Sequence, residues 1–159
     1  NYLWDPVQLE SSGVTTVSSG VPHTLIVKSD GSLWAAGNND KGQLGDGTTE
    51  TRMTRIKVVD ANVTAVAASN IHSLFLKSDG TLWAWGYHDN GQLGLGDMDI
   101  HCNPHRVGSD TDWDAYTVGK YHNLAIKYDS TLWSWAYNEE GQLGLGATGR
   151  YVSNPTVIR

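Results

Sequence analysis

An all-β fold made of three consecutive four-stranded antiparallel units is what this 159-residue sequence predicts. The first observation is internal repetition. Stretches 23–37, 72–86 and 122–136 align without gaps at spacings of 49 and 50 residues, and each is followed by Gly-Gln-Leu-Gly, at 42–45, 91–94 and 141–144. A fixed period of roughly 20–50 residues marks a propeller, a solenoid or an array. The second is local pattern. Leu25/Val27 and Leu74/Leu76 alternate with other side chains, as a strand with two unlike faces requires, while glycine and β-branched residues are too frequent for a helix. The third is aromatic usage: seven Trp and seven Tyr stand against one Phe, and Trp recurs in the same local setting.

Each unit is expected to open with an extended, mostly Pro-led piece, at Pro6–Leu9, Met53–Ile56 and Pro104–Val107. A second strand follows at Val14–Ser18, Val63–Ala67 and Trp113–Val118. The third begins at His23, His72 and His122. Asp30-Gly31 and Asp79-Gly80 then offer the positive φ values of a two-residue type I′ hairpin. The fourth strand carries Trp34, Trp83 with Trp85, and Trp133 with Trp135; tryptophans two apart project from one sheet face. Gly-Gln-Leu-Gly ends the strand and reverses the chain. Four antiparallel strands per unit make a propeller blade, so the fold class is a β-propeller segment of three four-stranded antiparallel blades, a partial propeller. The chain reads as one segment, with repeats at about 6–52, 53–102 and 103–153, and 154–159 as the first strand of a further repeat. The Gly-His and Trp-Asp dipeptides of WD40 blades do not occur in register with the repeat, and the paired glycines of kelch blades are absent.

The string His-x-Leu-x-x-Lys-x-Asp-Gly-x-Leu-Trp-x-Trp-Gly, followed by Gly-Gln-Leu-Gly-x-Gly, resembles the repeat of the regulator of chromosome condensation family, in three copies over about residues 6–158. The third copy departs at Ser130, in place of the turn glycine, and at Ala136, in place of the glycine after Trp. The resemblance implies seven-bladed closure, which three blades cannot reach. Two open faces of about 300 Å² each would forgo about 15 kcal/mol of apolar burial. The chain, which opens on Asn1, is therefore expected to be processed or part of a longer propeller or array, with remaining blades or a homo-oligomer covering the outer faces.

Composition excludes several classes. Eleven Lys and Arg against seventeen Asp and Glu give a net charge of −6, the wrong sign for a general nucleic-acid binder. No apolar run is long enough to insert in a membrane as a helix, no signal peptide is visible, and a single cysteine precludes an internal disulfide framework. Few Lys and many Thr, Ser, Asn and Gly suit an extracellular or cell-surface setting, with a cytoplasmic one as the alternative. No phosphate loop, nucleophile elbow or His-Glu-x-x-His string occurs, so no catalytic residue and no cofactor is expected.

Three groups could be read as metal sites. His23, His72 and His122 lie one per blade and read as structural, bonded to backbone at a strand start. His101, Cys102 and His105 could supply zinc or copper ligands, a weak candidate in an irregular loop. Asp97, Asp99, Asp110 and Asp112 are read as solvated loop acids and not a calcium site. Trp34, Trp83 and Trp133 are expected to pack between blades. Trp85 and Trp135 differ from Ala36 of the first repeat and so are candidates for partner contact. The loops after the last strand change content inside a constant frame: Asn38, Asn39 and Asp40; Tyr87, His88 and Asp89; Tyr137, Asn138 and Glu139. Variable loops on a rigid scaffold are where recognition sits. The expected function is a non-catalytic protein-interaction or scaffold module, the partner being a protein. The alternatives are a carbohydrate surface on Trp85, Trp135, Tyr87 and Tyr137, a secreted inhibitor, or a fragment of a guanine-nucleotide exchange factor. The family resemblance suggests this last reading, but the wedge insertion that such activity needs does not interrupt these repeats.

Overall fold

The computed structural model describes Pro6, Gln8 and residues 12–158. Twelve strands form three four-stranded antiparallel sheets. The first blade holds β1 (Val14–Ser19), β2 (His23–Lys28), β3 (Leu33–Gly37) and β4 (Arg52–Val59). The second holds β5 (Val63–Ala68), β6 (His72–Lys77), β7 (Leu82–Gly86) and β8 (His101–Arg106). The third holds β9 (Trp113–Val118), β10 (His122–Lys127), β11 (Leu132–Tyr137) and β12 (Tyr151–Val157). Strands pair in sequence order within each sheet, and no helix occurs among the described residues.

The blade frame is offset from the repeat frame read in the sequence. The strands taken to open a unit are the last strands of the preceding sheet: β4 pairs with β3, β8 with β7 and β12 with β11. Residues 154–157 therefore lie in the outer strand of the third blade and do not begin a fourth. Of the expected first strand at Pro6–Leu9, Val7 and Leu9 lie outside the described residues.

The hairpins also differ from the expected type. In the first blade Gly31 N–H donates to Lys28 O (2.9 Å), Lys28 N–H donates to Ser32 O (3.0 Å), and of the turn residues only Gly31 has positive φ (76°). This is a three-residue loop, a type I turn followed by a left-handed bulge residue. Asp30 holds it: one carboxylate oxygen accepts from the Ser32 amide (2.9 Å) and hydroxyl (2.6 Å), and Trp34 Nε1 donates to that hydroxyl (2.9 Å). Asp79-Thr81-Trp83 and Asp129-Thr131-Trp133 repeat the clamp. Ser130 adopts the left-handed φ (66°) that glycine takes in the other two blades, so the third copy keeps the turn despite the substitution.

Two apolar cores lie at the two interfaces between blades. Leu25, Val27 and Leu33 of the first blade pack with Val63, Val66, Phe75 and Trp85 of the second. Leu74, Leu76 and Leu82 of the second pack with Trp113, Ala125 and Trp135 of the third. Trp83 and Trp133 pack half-buried against these cores, as expected of them. Trp34 lies under the ammonium groups of Lys28 and Lys57, 4.6 and 5.6 Å from its ring. One exchange moves the aromatic ring from one strand of a pair to the other. The cross-strand pair Val66–Phe75 of the second blade becomes Tyr116–Ala125 in the third, where the Tyr116 hydroxyl donates to Leu74 O (3.2 Å).

Candidate interaction rim

The β1–β2 and β3–β4 connections of each blade meet at one end. Asn38 N–H donates to Pro22 O (2.7 Å), Tyr87 N–H to Ile71 O (2.9 Å) and Tyr137 N–H to Tyr121 O (3.0 Å). This end is the rim that carries the candidate loops. Their residues divide into a buried frame and a displayed set.

The frame holds Asn39, His88 and Asn138, which are buried and not available to a partner. Each accepts the amide of the leucine five residues on: Asn39 Oδ1 from Leu44 (2.9 Å), His88 Nδ1 from Leu93 (2.8 Å) and Asn138 Oδ1 from Leu143 (3.1 Å). Asn39 Nδ2 also donates to Asp46 Oδ1 (3.0 Å), and Asn138 Nδ2 to Ala147 O (2.9 Å). In His88 the accepting Nδ1 leaves the proton on Nε2, which lies 3.4 Å from Asp97 Oδ1. His88 thus reproduces the acceptor of an asparagine. Burial holds its pKa down at about 4.

Trp85 and Trp135 belong to the frame as well, against expectation: both are 0% exposed. Trp85 Nε1 donates across the interface to Gln43 O (2.8 Å), and Trp135 Nε1 to Gln92 O (3.1 Å). The same carbonyls receive a second bond from the next blade, from Ser73 Oγ to Gln43 O (2.9 Å) and from Asn123 Nδ2 to Gln92 O (2.7 Å). Ser73 Oγ accepts in turn from His23 Nε2 (2.8 Å), and Asn123 Oδ1 from His72 Nε2 (3.0 Å). His23 and His72 each bond a side chain of the following blade and not backbone. Burial lowers the pKa of His23 and of His72 to about 4. Sequence reasoning missed Ser73, Asn123 and the glutamine carbonyls. The signal was the position after each histidine, which always carries a hydrogen-bonding side chain: Thr24, Ser73, Asn123.

The displayed set is Asp40, Asp89 and Glu139, exposed, with Asn38, Tyr87 and Tyr137 half-buried. The Tyr87 hydroxyl donates to Asp89, and Tyr137 to Glu139 Oε2 (2.7 Å); both bonds raise the tyrosine pKa. Lys41 of the first blade lies 5.6 Å from the Tyr87 ring of the second, and Tyr121 meets Tyr137 edge-on at 6.1 Å.

The metal readings do not survive. His101 Nε2 bonds Asp97 Oδ1 (3.1 Å) and its ring lies 4.3 Å from that of His105. Cys102, next along β8, packs instead on the first-blade loop, where a Cβ added to Gly42 would lie 2.8 Å from its Sγ. Neighbours on a strand point to opposite faces, so thiol and imidazoles do not converge. Asp110 and Asp112 are spent on Lys127, at 2.6 and 3.0 Å, away from Asp97. Among the described residues no group of three or more His, Cys, Asp or Glu side chains is arranged to hold a metal ion.

Comparison with known proteins places this architecture. The family model of the regulator of chromosome condensation (RCC1) repeat matches residues 30–76 and 79–126, and a second model of the same repeat matches 14–43 and 63–92. The chain belongs to the RCC1-repeat family, with the propeller blades of that family as its fold. Among individual relatives, the protein RCC2 homolog of Danio rerio is 41% identical over 63 residues, 36% of this chain and 12% of the relative. Human protein RCC2 is 43% identical over 53 residues, 30% and 10% respectively. Among solved structures, human WBSCR16 superposes with a TM-score of 0.79 at 26% identity, over 92% of this chain and 39% of that one. Yeast RCC1 (Prp20), solved bound to Kap60, gives 0.81 at 22% identity, over 98% and 39%, a likeness of fold. The chain thus spans about two fifths of these solved chains and about a tenth of the curated relatives.

Proposed function

We propose that this chain is a non-catalytic protein-interaction module that presents Asp40, Tyr87, Asp89, Tyr137 and Glu139 on one rim of a rigid propeller segment. The supporting observation is the division of the rim loops. Asn39, His88 and Asn138 are buried and each accepts the amide of the leucine five residues on, while Asp40, Asp89 and Glu139 beside them face solvent. A buried frame fixes the loops, so a partner binds without the entropy cost of ordering them. Relatives support protein partners in general: Prp20p of Saccharomyces cerevisiae is described by its binding to Gsp1p and histones, and yeast RCC1 is seen bound to Kap60. The exchange-factor alternative is not favoured, because no insertion interrupts the three repeats. The carbohydrate alternative loses Trp85 and Trp135, which no ligand reaches in this fold. RCC1-type relatives are consistent with a cytoplasmic setting and give no support to an extracellular one.

The test is quantitative affinity enrichment with the wild-type chain and with a Tyr87→Ala, Asp89→Ala, Tyr137→Ala, Glu139→Ala variant. Loss of a defined set of partners in a variant of unchanged melting temperature supports the rim. An identical set of partners for both chains sinks it.

A further inference from the structure

Two of the rim loops share one arrangement, and in one of them it is already filled. Tyr87 stands beside Asp89 and Tyr137 beside Glu139, each hydroxyl donating to the carboxylate two residues on. Donation to an anion leaves the phenol ring richer in electrons, and such a ring attracts a cation to its face. At Tyr87 the cation is built in: Lys41 Nζ of the first blade lies 5.6 Å from the ring centroid. In the second blade Asn90 takes the place of Lys41. The two loops have the same local bond, from Lys41 N–H to Gln43 Oε1 and from Asn90 N–H to Gln92 Oε1, both 2.9 Å. Among the described residues no ammonium or guanidinium stands over the Tyr137 ring. Lys120 is held instead on Tyr121, 4.9 Å from that ring.

We propose that the Tyr137–Glu139 pair receives a lysine side chain from a basic segment of a partner protein, in the position that Lys41 takes over Tyr87. This deepens the reading of the rim as an interaction surface and rests on it. The occupant is read from the molecule itself, since Lys41 shows which side chain the same pair accepts one blade earlier. The surroundings favour a cation further. Glu140 follows Glu139 and is exposed, so two carboxylates flank the ring. Tyr121 meets Tyr137 edge-on at 6.1 Å and adds a second aromatic wall. Tyr137 is half-buried, so its ring is held in place before a partner arrives. The net charge of −6 draws a basic segment towards the chain and repels an acidic one.

Fluorescence anisotropy at low salt tests this, with a fluorescein-labelled dodecapeptide of four Gly-Lys-Ser repeats and the same peptide with every lysine acetylated. The lysine peptide is expected to bind, and acetylation to weaken it at least about fivefold. Asn90→Lys supplies the missing cation from within, as Lys41 does, and should weaken the lysine peptide at least about fivefold. Thr49→Lys puts the same charge at an exposed place on the first-blade loop and should change affinity less than about twofold. Lys41→Asn opens the Tyr87 pair and should strengthen binding about twofold by adding a second site. None of these variants removes a residue of the pair or of the buried frame, and melting temperatures check that each is folded. Equal weakening by Asn90→Lys and Thr49→Lys overturns the proposal, because diffuse charge would then carry the binding. Equal binding of the two peptides overturns it as well. Either failure concerns the lysine alone; the rim reading stands or falls separately, on the proteins lost by the four-alanine variant.

Discussion

Lowering the pH from 7 to 5 should unfold much of this protein, and three buried histidines set the size of the effect. His23, His72 and His88 are 3%, 0% and 0% exposed, and burial brings each pKa from 6.5 down to about 4. The unfolded chain therefore binds protons that the folded chain refuses. The contribution is fully present above 6.5, is lost as pH falls from 6.5 towards 4, and levels off below. At pH 5 each histidine costs about 2 kcal/mol, and the three together about 6 kcal/mol, against a typical whole-domain stability of about 5–15 kcal/mol. Geometry supports the direction. His23 Nδ1 and His72 Nδ1 are buried without a hydrogen-bond partner, and His88 Nδ1 accepts from the Leu93 amide, so an added proton finds no acceptor at any of the three. The lowered carboxylates, Asp30, Asp46, Asp79, Asp97 and Asp129, act in the other window, since their contribution is lost only below 3.8.

Urea unfolding followed by tryptophan fluorescence at pH 7, 6 and 5 measures this directly. With a slope of about 2 kcal/mol per molar urea, the midpoint should fall by about 3 M over the range. Asn39 and Asn138 already fill the His88 position in the other blades, so His88→Asn should fold and should remove about a third of the pH-dependent loss. A change below about 1 kcal/mol between pH 7 and 5 would refute the assignment of these rings as neutral and buried.

Other outcomes follow from the interfaces and turns. Trp85→Ala should cost about 3–5 kcal/mol in urea titration, because it empties a fully buried site and removes an indole bond from Gln43 O; a cost near zero would show that the second blade does not rest on the first. Gly80→Ala should destabilise by more than about 1 kcal/mol, since the turn has φ of +74° and an added Cβ would lie 2.1 Å from Thr111 O; thermal melting reads the loss. Ser130→Gly works in reverse: the residue is exposed at φ 66°, and relieving the left-handed strain should raise stability by about 0.5–1 kcal/mol.

The blade count, the strands and the turn positions were legible because they depend on local pattern. Period-two alternation, Asp-Gly and Gly-Gln-Leu-Gly each act within a few residues. The sheet frame was not legible. β3 and β4 are joined by the long connection 38–51, and nothing local says whether Arg52–Val59 pairs backward or forward. The hairpin type was missed for a related reason. Asp-Gly fits a two-residue turn, but the Asp30 carboxylate is drawn to Ser32 and the loop takes three residues. Within the rim, Tyr87 and Tyr137 were legible as displayed side chains, whereas His88 read as one more polar loop residue. Its burial follows from the Leu93 amide that it must satisfy.

The tryptophan error is the most instructive of these, because it inverts an inference that looks sound. Variation between repeats suggests display, and Ala36 against Trp85 and Trp135 is such a variation. In the fold, Trp85 and Trp135 are interface residues and not displayed ones. Trp85 and Trp135 each face a preceding blade and donate to its glutamine carbonyl; Ala36 stands on a blade with no sheet before it among the described residues, beside an open cavity of about 360 Å³ lined also by Thr24, Arg52 and Met53. A repeat residue can therefore vary for an architectural reason, and only the interface shows which. The same comparison separates display from frame on the rim. Asn39, His88 and Asn138 vary in identity but each accepts a leucine amide, whereas Asp40, Asp89 and Glu139 stay acidic and exposed. What is common to the first set is a backbone amide to satisfy; what is common to the second is a solvent-facing carboxylate that accepts from a side chain of its own loop.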